Sequence, residues 1–268
     1  MLKDITLGQY FPGDTVAHRL DPRTKILLVV LYIIALFCAK NLLSYALLAV
    51  VLAVCVRISQ VGLRPLVRGL KPVLFIIVFT ALLNLFFTPG DRYLLEWGFL
   101  RVSDTGLRNA VFMVVRIMLL IMGTFLMTYT TSPISLTDGL ERLLNWMKRL
   151  HVPVHELSMM MSIALRFIPT LIEETDKIMS AQKARGADFE SGGLIQKAKA
   201  LIPILVPLFI SAFRRADELA TAMECRCYHG GEGRTKLHVL QYQARDYIAL
   251  AAGAVILAVV IVMRNLAI

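Results

Sequence analysis

Two arginines carry the chemistry most visible in this chain. Arg185 and Arg226 close two charged stretches that repeat, since Asp176, Ala181 and Arg185 recur 41 residues later as Asp217, Ala222 and Arg226. After each arginine comes a glycine-rich break, Ser191-Gly192-Gly193 in one copy and Gly230-Gly231-Glu232-Gly233 in the other. A guanidinium offers five donors in a rigid fork that suits carboxylates and carbonyls, and it stays charged at any working pH. At a helix C-terminus the dipole favours it by about 0.3–1 kcal/mol. A lone surface arginine would form a solvated salt bridge worth roughly 0–1 kcal/mol. The duplicated context points instead to a chain that grips two similar partners.

Other chemistries fail on spacing. Cys225-x-Cys227-x-His229 brings three soft ligands close together, with His238 the one nearby addition, and a zinc site needs four well-spaced ligands. His155-Glu156 opens like a zinc-protease signature, but Met159 stands where the second histidine belongs. No Gly-x-x-x-x-Gly-Lys-Ser/Thr loop occurs, so the chain is expected to hydrolyse no ATP itself. No nucleophile–base pair stands out, and the expectation is a non-catalytic protein with no metal or cofactor of its own.

The elements that position the arginines are set by composition. The chain has 268 residues, 57% of them hydrophobic, beyond the roughly 45–50% of soluble domains. Lys plus Arg number 29 against 19 Asp plus Glu, and in a membrane chain such an excess collects on cytoplasmic loops and beside anionic lipid. No basic run is interleaved with aromatics, which argues against nucleic acid. Five spans are expected, at Ile26–Ala39, Leu42–Val56, Pro72–Phe87, Leu107–Tyr129 and Tyr247–Met263. The first two form a tight hairpin about Lys40-Asn41, and Asp21-Pro22 starts the first as cap and first-turn proline.

Loop charges give the orientation. Arg19, Arg23 and Lys25 precede the first span, and Arg57, Arg64, Arg68 and Lys71 separate the second from the third without an acid. By the positive-inside rule the N-terminus and the region Thr131–Arg245 are cytoplasmic, and the C-terminus is outside. The expected division is a membrane domain at 1–130, coupling helices at 131–245 and a last membrane helix at 246–268. Arg116 lies roughly 13 Å into the fourth span, where it needs a polar partner such as Asn84, a partner subunit, or room to snorkel.

The region from Thr131 to Arg245 is helical in pattern. Ser132-Pro133 starts a helix whose Leu136, Leu140, Leu143, Met147 and Leu150 form a narrow apolar stripe. A second helix runs from near His155 to Arg185, apolar as far as Pro169 and charged beyond it. A third repeats the scheme from Ala200 to Arg226. Pro203, Pro207 and flanking basic residues argue that Ala200–Phe213 is a buried helix and not a further span. Pro169 to Arg185 covers roughly 24 Å and Pro203 to Arg226 roughly 34 Å, enough to root each helix near the bilayer and carry its arginine outward. Met159-Met160-Met161 reads equally as an adaptable docking surface and as core packing.

These residues resemble the transmembrane coupling subunit of energy-coupling factor (ECF) transporters, the EcfT/CbiQ family. The resemblance rests on Leu20-Asp21-Pro22-Arg23-Thr24-Lys25, Arg166-Phe167-Ile168-Pro169, Ala184-Arg185-Gly186 and Ala222-Met223-Glu224-Cys225-Arg226-Cys227-Tyr228, and it covers nearly the whole chain. It implies an all-α integral membrane protein with about five transmembrane helices and three long amphipathic coupling helices. It also implies that Ala184, Arg185, Gly186 and Cys225, Arg226, Cys227 dock on two ABC ATPase subunits, an EcfA-type pair that binds the ATP and magnesium. Hinges of the coupling helices are expected at Arg166, Pro169, Pro203 and Pro207, and on the docking reading Met159, Met160 and Met161 would contact one or several substrate-binding S components. The implied function is to pass ATP-driven closure to such a subunit for vitamin or micronutrient uptake across the cell membrane. The alternative from the residues is a permease that binds and moves a small solute itself. The second motif departs from the family's Ala-Arg-Gly by its cysteines, which leaves open how tightly the chain turns after Arg226.

Overall fold

Asp21 and Pro22 start the first helix, α1 (Pro22–Cys38). The Asp21 carboxylate accepts the Arg23 amide at 2.9 Å, and proline fills the first position, where a missing N–H costs nothing. The same carboxylate takes a two-point ion pair from the Arg23 guanidinium, which lies 3.9 Å over the Tyr242 ring. Burial alone would push the Asp21 carboxyl up, but the Arg23 hydrogen bonds outweigh it and hold the pKa below its usual value. Asp246 accepts the Asp21 amide at 2.9 Å and so ties the start of α9 (Ala244–Asn265) to the start of α1.

The computed structural model describes residues 10–89, 93–97, 100–189, 193–230 and 239–265. It divides into two units, Gly8–Leu143 with Leu240–Ile268, and Leu144–Val239. The first unit contains α1, α2 (Leu42–Ser59), α3 (Leu63–Leu70), α4 (Leu74–Phe87), α5 (Asp104–Thr130), α6 (Pro133–Leu144) and α9. A 3-10 turn, Lys71–Val73, joins α3 to α4, so that 63–87 is nearly continuous. Two short antiparallel strands, β1 (Tyr93–Trp97) and β2 (Leu100–Ser103), lie in the α4–α5 connection, which the sequence reads as a loop. Every other regular element among the described residues is a helix.

The 27-residue α5 is the post against which the others pack. Ser103 caps it by accepting the Gly106 amide at 2.9 Å. At Gly123 a Cβ would stand 2.7 Å from the Tyr32 ring, so only glycine lets α1 approach α5 there. Leu36, Leu48, Leu52, Leu66, Leu119, Tyr129 and Val260 bury into one core drawn from α1, α2, α3, α5 and α9. The Lys25 ammonium donates to the Thr130 carbonyl at 2.7 Å, a cation satisfying an orphan carbonyl at the C-terminus of α5.

Among the described residues five helices are long and apolar enough to cross a membrane: Leu42–Ser59, Leu63–Phe87, Asp104–Thr130, Ile195–Cys225 and Ala244–Asn265. Four coincide with expected spans. The 17-residue α1 is shorter than any of these, because the chain breaks before Lys40-Asn41. The last helix of the second unit qualifies with a mean hydropathy of 1.5, the lowest of the five, since only its first half is apolar. The apolar stripe that begins in α6 does not continue as one α-helix, for Asn145–Leu150 is 3-10 and His151 is left-handed at φ 59°.

Candidate functional site

The second unit is built around an antiparallel helical hairpin. Its members are α7 (Val154–Ala184, 31 residues) and α8 (Leu194–Cys225, 32 residues). Three ties run along it. The Tyr228 hydroxyl donates to the Met159 sulfur at 3.3 Å. Midway, the Glu174 carboxylate accepts the Ser211 hydroxyl and a 2.8 Å ion pair from Arg215. The Ser211 bond and then the Arg215 charge hold Glu174 below the usual carboxylate pKa. Towards the other end, the Gln182 amide donates to the Pro203 carbonyl at 3.3 Å. That carbonyl is the one Pro207 leaves without its helical donor, and the neighbouring helix supplies the replacement.

The repeat now has a geometric meaning. Glu174 and Arg215 occupy equivalent positions of the two copies, 41 residues apart, and they meet each other. Two equivalent helices that run antiparallel and touch at matching residues are related by an approximate two-fold axis through that contact. Arg185 and Arg226 therefore lie at opposite ends of the hairpin, on the order of 35 Å apart along α8 at 1.5 Å per residue. Helix lengths alone did not give this placement. Pro169, Pro203 and Pro207 all sit inside continuous helices, and Arg166 is exposed on α7.

Both arginines end their helices in the same way. Arg185 is the last helical cap, Gly186 follows at φ 87°, its amide bonds to the Lys183 carbonyl, and that of Ala187 reaches back to Gln182. Arg226 is the cap of α8, Cys227 follows at φ 55°, its amide bonds to the Glu224 carbonyl, and that of Tyr228 reaches back to Met223. The tight turn survives the loss of glycine. Cys227 takes the left-handed conformation at a cost of about 1–2 kcal/mol. Cys227→Gly is accordingly expected to slow amide exchange at Cys227 and Tyr228, whereas Gly186→Val should speed it at Gly186 and Ala187. Equal exchange in all three proteins would contradict this account of the cap. Ala184, Arg185, Gly186, Cys225, Arg226 and Cys227 are all exposed.

Beside Arg226 the hairpin opens a groove of about 740 Å³, lined from α7 by Met159, Ser162, Arg166 and Phe167 and from the α8 end by Met223, Arg226, Tyr228 and His229 among others. No carboxylate lines it among the described residues. The pairing of Arg166 with Arg226 escapes a reading of the sequence; the signal was available in the antiparallel sense that complementary Glu174 and Arg215 impose. Of the methionine triplet, Met159 lines the groove and is half-buried, while Met160 and Met161 are exposed. Among the described residues no three His, Cys, Asp or Glu side chains could hold a metal. Residues 190–192 and 231–238, with most of the glycine breaks and His238, lie outside the described residues.

Arg116 meets neither Asn84 nor solvent alone. Its guanidinium donates twice to the Tyr45 hydroxyl, at 2.6 and 2.9 Å, and once to the Ala39 carbonyl at 3.3 Å. Asn84 instead donates to the Thr80 carbonyl at 2.9 Å and contacts the Met113 sulfur at 3.0 Å. The cation closes the C-terminal end of α1 and fixes the α1–α2 turn to mid-α5. Tyr45, buried on α2, is the partner that a search confined to the neighbouring span would miss.

Comparison with known proteins places the chain. A family model described as "Cobalt transport protein", CbiQ, matches residues 13–237. The chain belongs to the EcfT/CbiQ family. It is 54% identical over 265 residues to the "Energy-coupling factor transporter transmembrane protein EcfT" of Clostridium kluyveri, covering 98% of both chains. The proteins of the same name from Ruminiclostridium cellulolyticum and Bacillus subtilis are 50% and 47% identical, each over 264 residues. The first match covers 98% of both chains, the second 98% of this chain and all of its relative. The chain that carries the paired arginine ends thus belongs to a family whose members are named as transporter membrane components.

Proposed function

We propose that this chain is the non-catalytic membrane coupler of an energy-coupling factor importer. Two ABC ATPase subunits bind ATP and magnesium, and each seats one of the exposed arginine tips, Ala184-Arg185-Gly186 or Cys225-Arg226-Cys227. Their closure on ATP changes the distance between the two seats. A stiff antiparallel hairpin that bridges both seats turns that change into motion of the membrane helices. A separate membrane subunit, which binds a vitamin or other micronutrient, then reorients and releases it; Met159, Met160 and Met161 are its contact on this chain. The N-terminus and the hairpin face the cytoplasm in this reading, as the loop charges require.

The observation that carries the proposal is the pair of identically capped arginines related by an approximate two-fold axis at Glu174–Arg215. Two like tips at opposite ends of one rod suit two like partners, and a single binding surface would need neither the repeat nor the antiparallel sense. The permease alternative has less support, because Arg116 and Asn84, its polar groups at membrane depth, are both engaged within the chain. The test is assembly of the whole complex. The double variant Arg185→Glu/Arg226→Glu is expected to lose its co-purifying ATPase subunits and all uptake, and unchanged assembly and transport would refute the docking assignment.

A further inference from the structure

A second feature has no part in the docking of ATPases. Between α4 and α5 runs a groove of about 350 Å³ whose lining side chains are all apolar, from Leu70 and Leu74 at one end to Leu85 and Leu107 at the other. It exists because Ala81 on α4 and Ala110 on α5 both line it, and two small side chains leave a hollow that larger ones would fill. From Leu70 to Leu85 it extends roughly 22 Å at 1.5 Å per residue, against roughly 15 Å for half of a hydrocarbon core. A single acyl chain of one leaflet fits that length.

The Leu70 end carries charge of one sign. The short helix α3 is strongly two-faced: Leu63, Leu66 and Leu70 share one stripe, and Arg64, Arg68 and Lys71, at spacings of four and three, share another. All three cations are exposed. None pairs with a carboxylate among the described residues, and the sequence holds no Asp or Glu from Pro22 to Gly90. Three cations carried on the helix and turn that supply Leu70 to a purely apolar groove offer a two-part site, one part for a phosphate and one for a chain. Basic pockets beside membrane helices receive anionic headgroups on these terms.

We infer that the α3–α4–α5 groove binds one anionic phospholipid of the bilayer, its phosphate at Arg64, Arg68 and Lys71 and one acyl chain along Leu74, Ala81 and Leu85. An apolar helix of a neighbouring subunit would match the hydrocarbon but leave the cationic stripe unanswered, so the charge decides for the lipid.

The experiment is native mass spectrometry of the full complex, exchanged into micelles containing equal amounts of phosphatidylglycerol and phosphatidylcholine. The unmodified complex is expected to retain one phosphatidylglycerol in clear preference to phosphatidylcholine. In Arg64→Gln/Arg68→Gln/Lys71→Gln that preference should fall by about tenfold or more, because the headgroup phosphate loses all three cationic partners. Arg57→Gln, which removes a nearby charge outside the stripe, should leave it unchanged, and Ala81→Phe should lower retention of both lipids by filling the groove. Equal retention of the two lipids by the unmodified complex would overturn the inference, as would a preference untouched by the triple variant. An empty groove in the complex, with lipid bound only to the isolated chain, would assign the site to a partner helix and overturn it equally. The readout does not depend on the ATPase-docking assignment, so each can fail alone.

Discussion

Arg185→Glu and Arg226→Glu, made singly, are each expected to release one of the two proposed ATPase contacts and leave the other in place. Truncating one partner of a buried, hydrogen-bonded charge pair costs about 2–5 kcal/mol, and reversal adds repulsion. At 1.4 kcal/mol per tenfold, even the lower figure weakens that contact by roughly thirtyfold. The two tips lie on the order of 35 Å apart, several times the Debye length of about 8 Å at physiological salt. Nor do they share a hydrogen-bond partner among the described residues. Their losses should therefore add, as they do for independent sites. The quantity to measure is the number of ATPase subunits per chain in the purified complex at fixed concentration, together with uptake. Each single variant should retain fewer than the unmodified complex, the double variant none, and uptake should vanish in all three. Arg185→Lys and Arg226→Lys would keep the charge but lose the forked geometry, and should fall between. A double variant no weaker than the worse single one would mean that the tips do not act as separate seats.

How much of this was legible before the fold depends on the range of the interaction. The start of α1 follows from Asp21-Pro22, because capping is decided within three residues. The arginine tips follow from a repeat that needs no tertiary information. The turn after Arg226 did not follow, since cysteine is a poor candidate for a left-handed position, and only the return bond from Tyr228 to Met223 reveals that the helix ends as its twin does. The opposed placement of the tips was encoded as well, in the complementary charges of Glu174 and Arg215 at equivalent positions. Reading it requires the prior idea that a repeat can pack against itself. The partner of Arg116 was the least accessible. Asn84 is the nearest polar residue on the adjoining span, yet the cation goes to a tyrosine 71 positions away on α2. A helix end wants a cation, and which cation reaches which end is settled by packing that no local pattern records.

The same cluster gives the second large effect. Tyr45→Phe is expected to destabilise the chain more than Arg116→Met, although it removes a single oxygen. In the tyrosine variant a guanidinium is left at membrane depth with only the long 3.3 Å bond to the Ala39 carbonyl, and a poorly paired charge there costs about 2.5–3.5 kcal/mol on insertion scales. In the methionine variant the Tyr45 hydroxyl still donates to the Ala39 carbonyl at 3.2 Å, so what disappears is a charged hydrogen bond of roughly 1.5–3 kcal/mol. Removing both partners should be milder than the sum, since no uncompensated polar group then remains, and the cycle should show a coupling of about 1–3 kcal/mol. Thermal unfolding of the full complex in one detergent, for the unmodified protein, both single variants and the double, measures that coupling. If the two single losses simply add, Arg116 and Tyr45 act independently, and the α1–α2 turn is held to α5 by apolar packing alone.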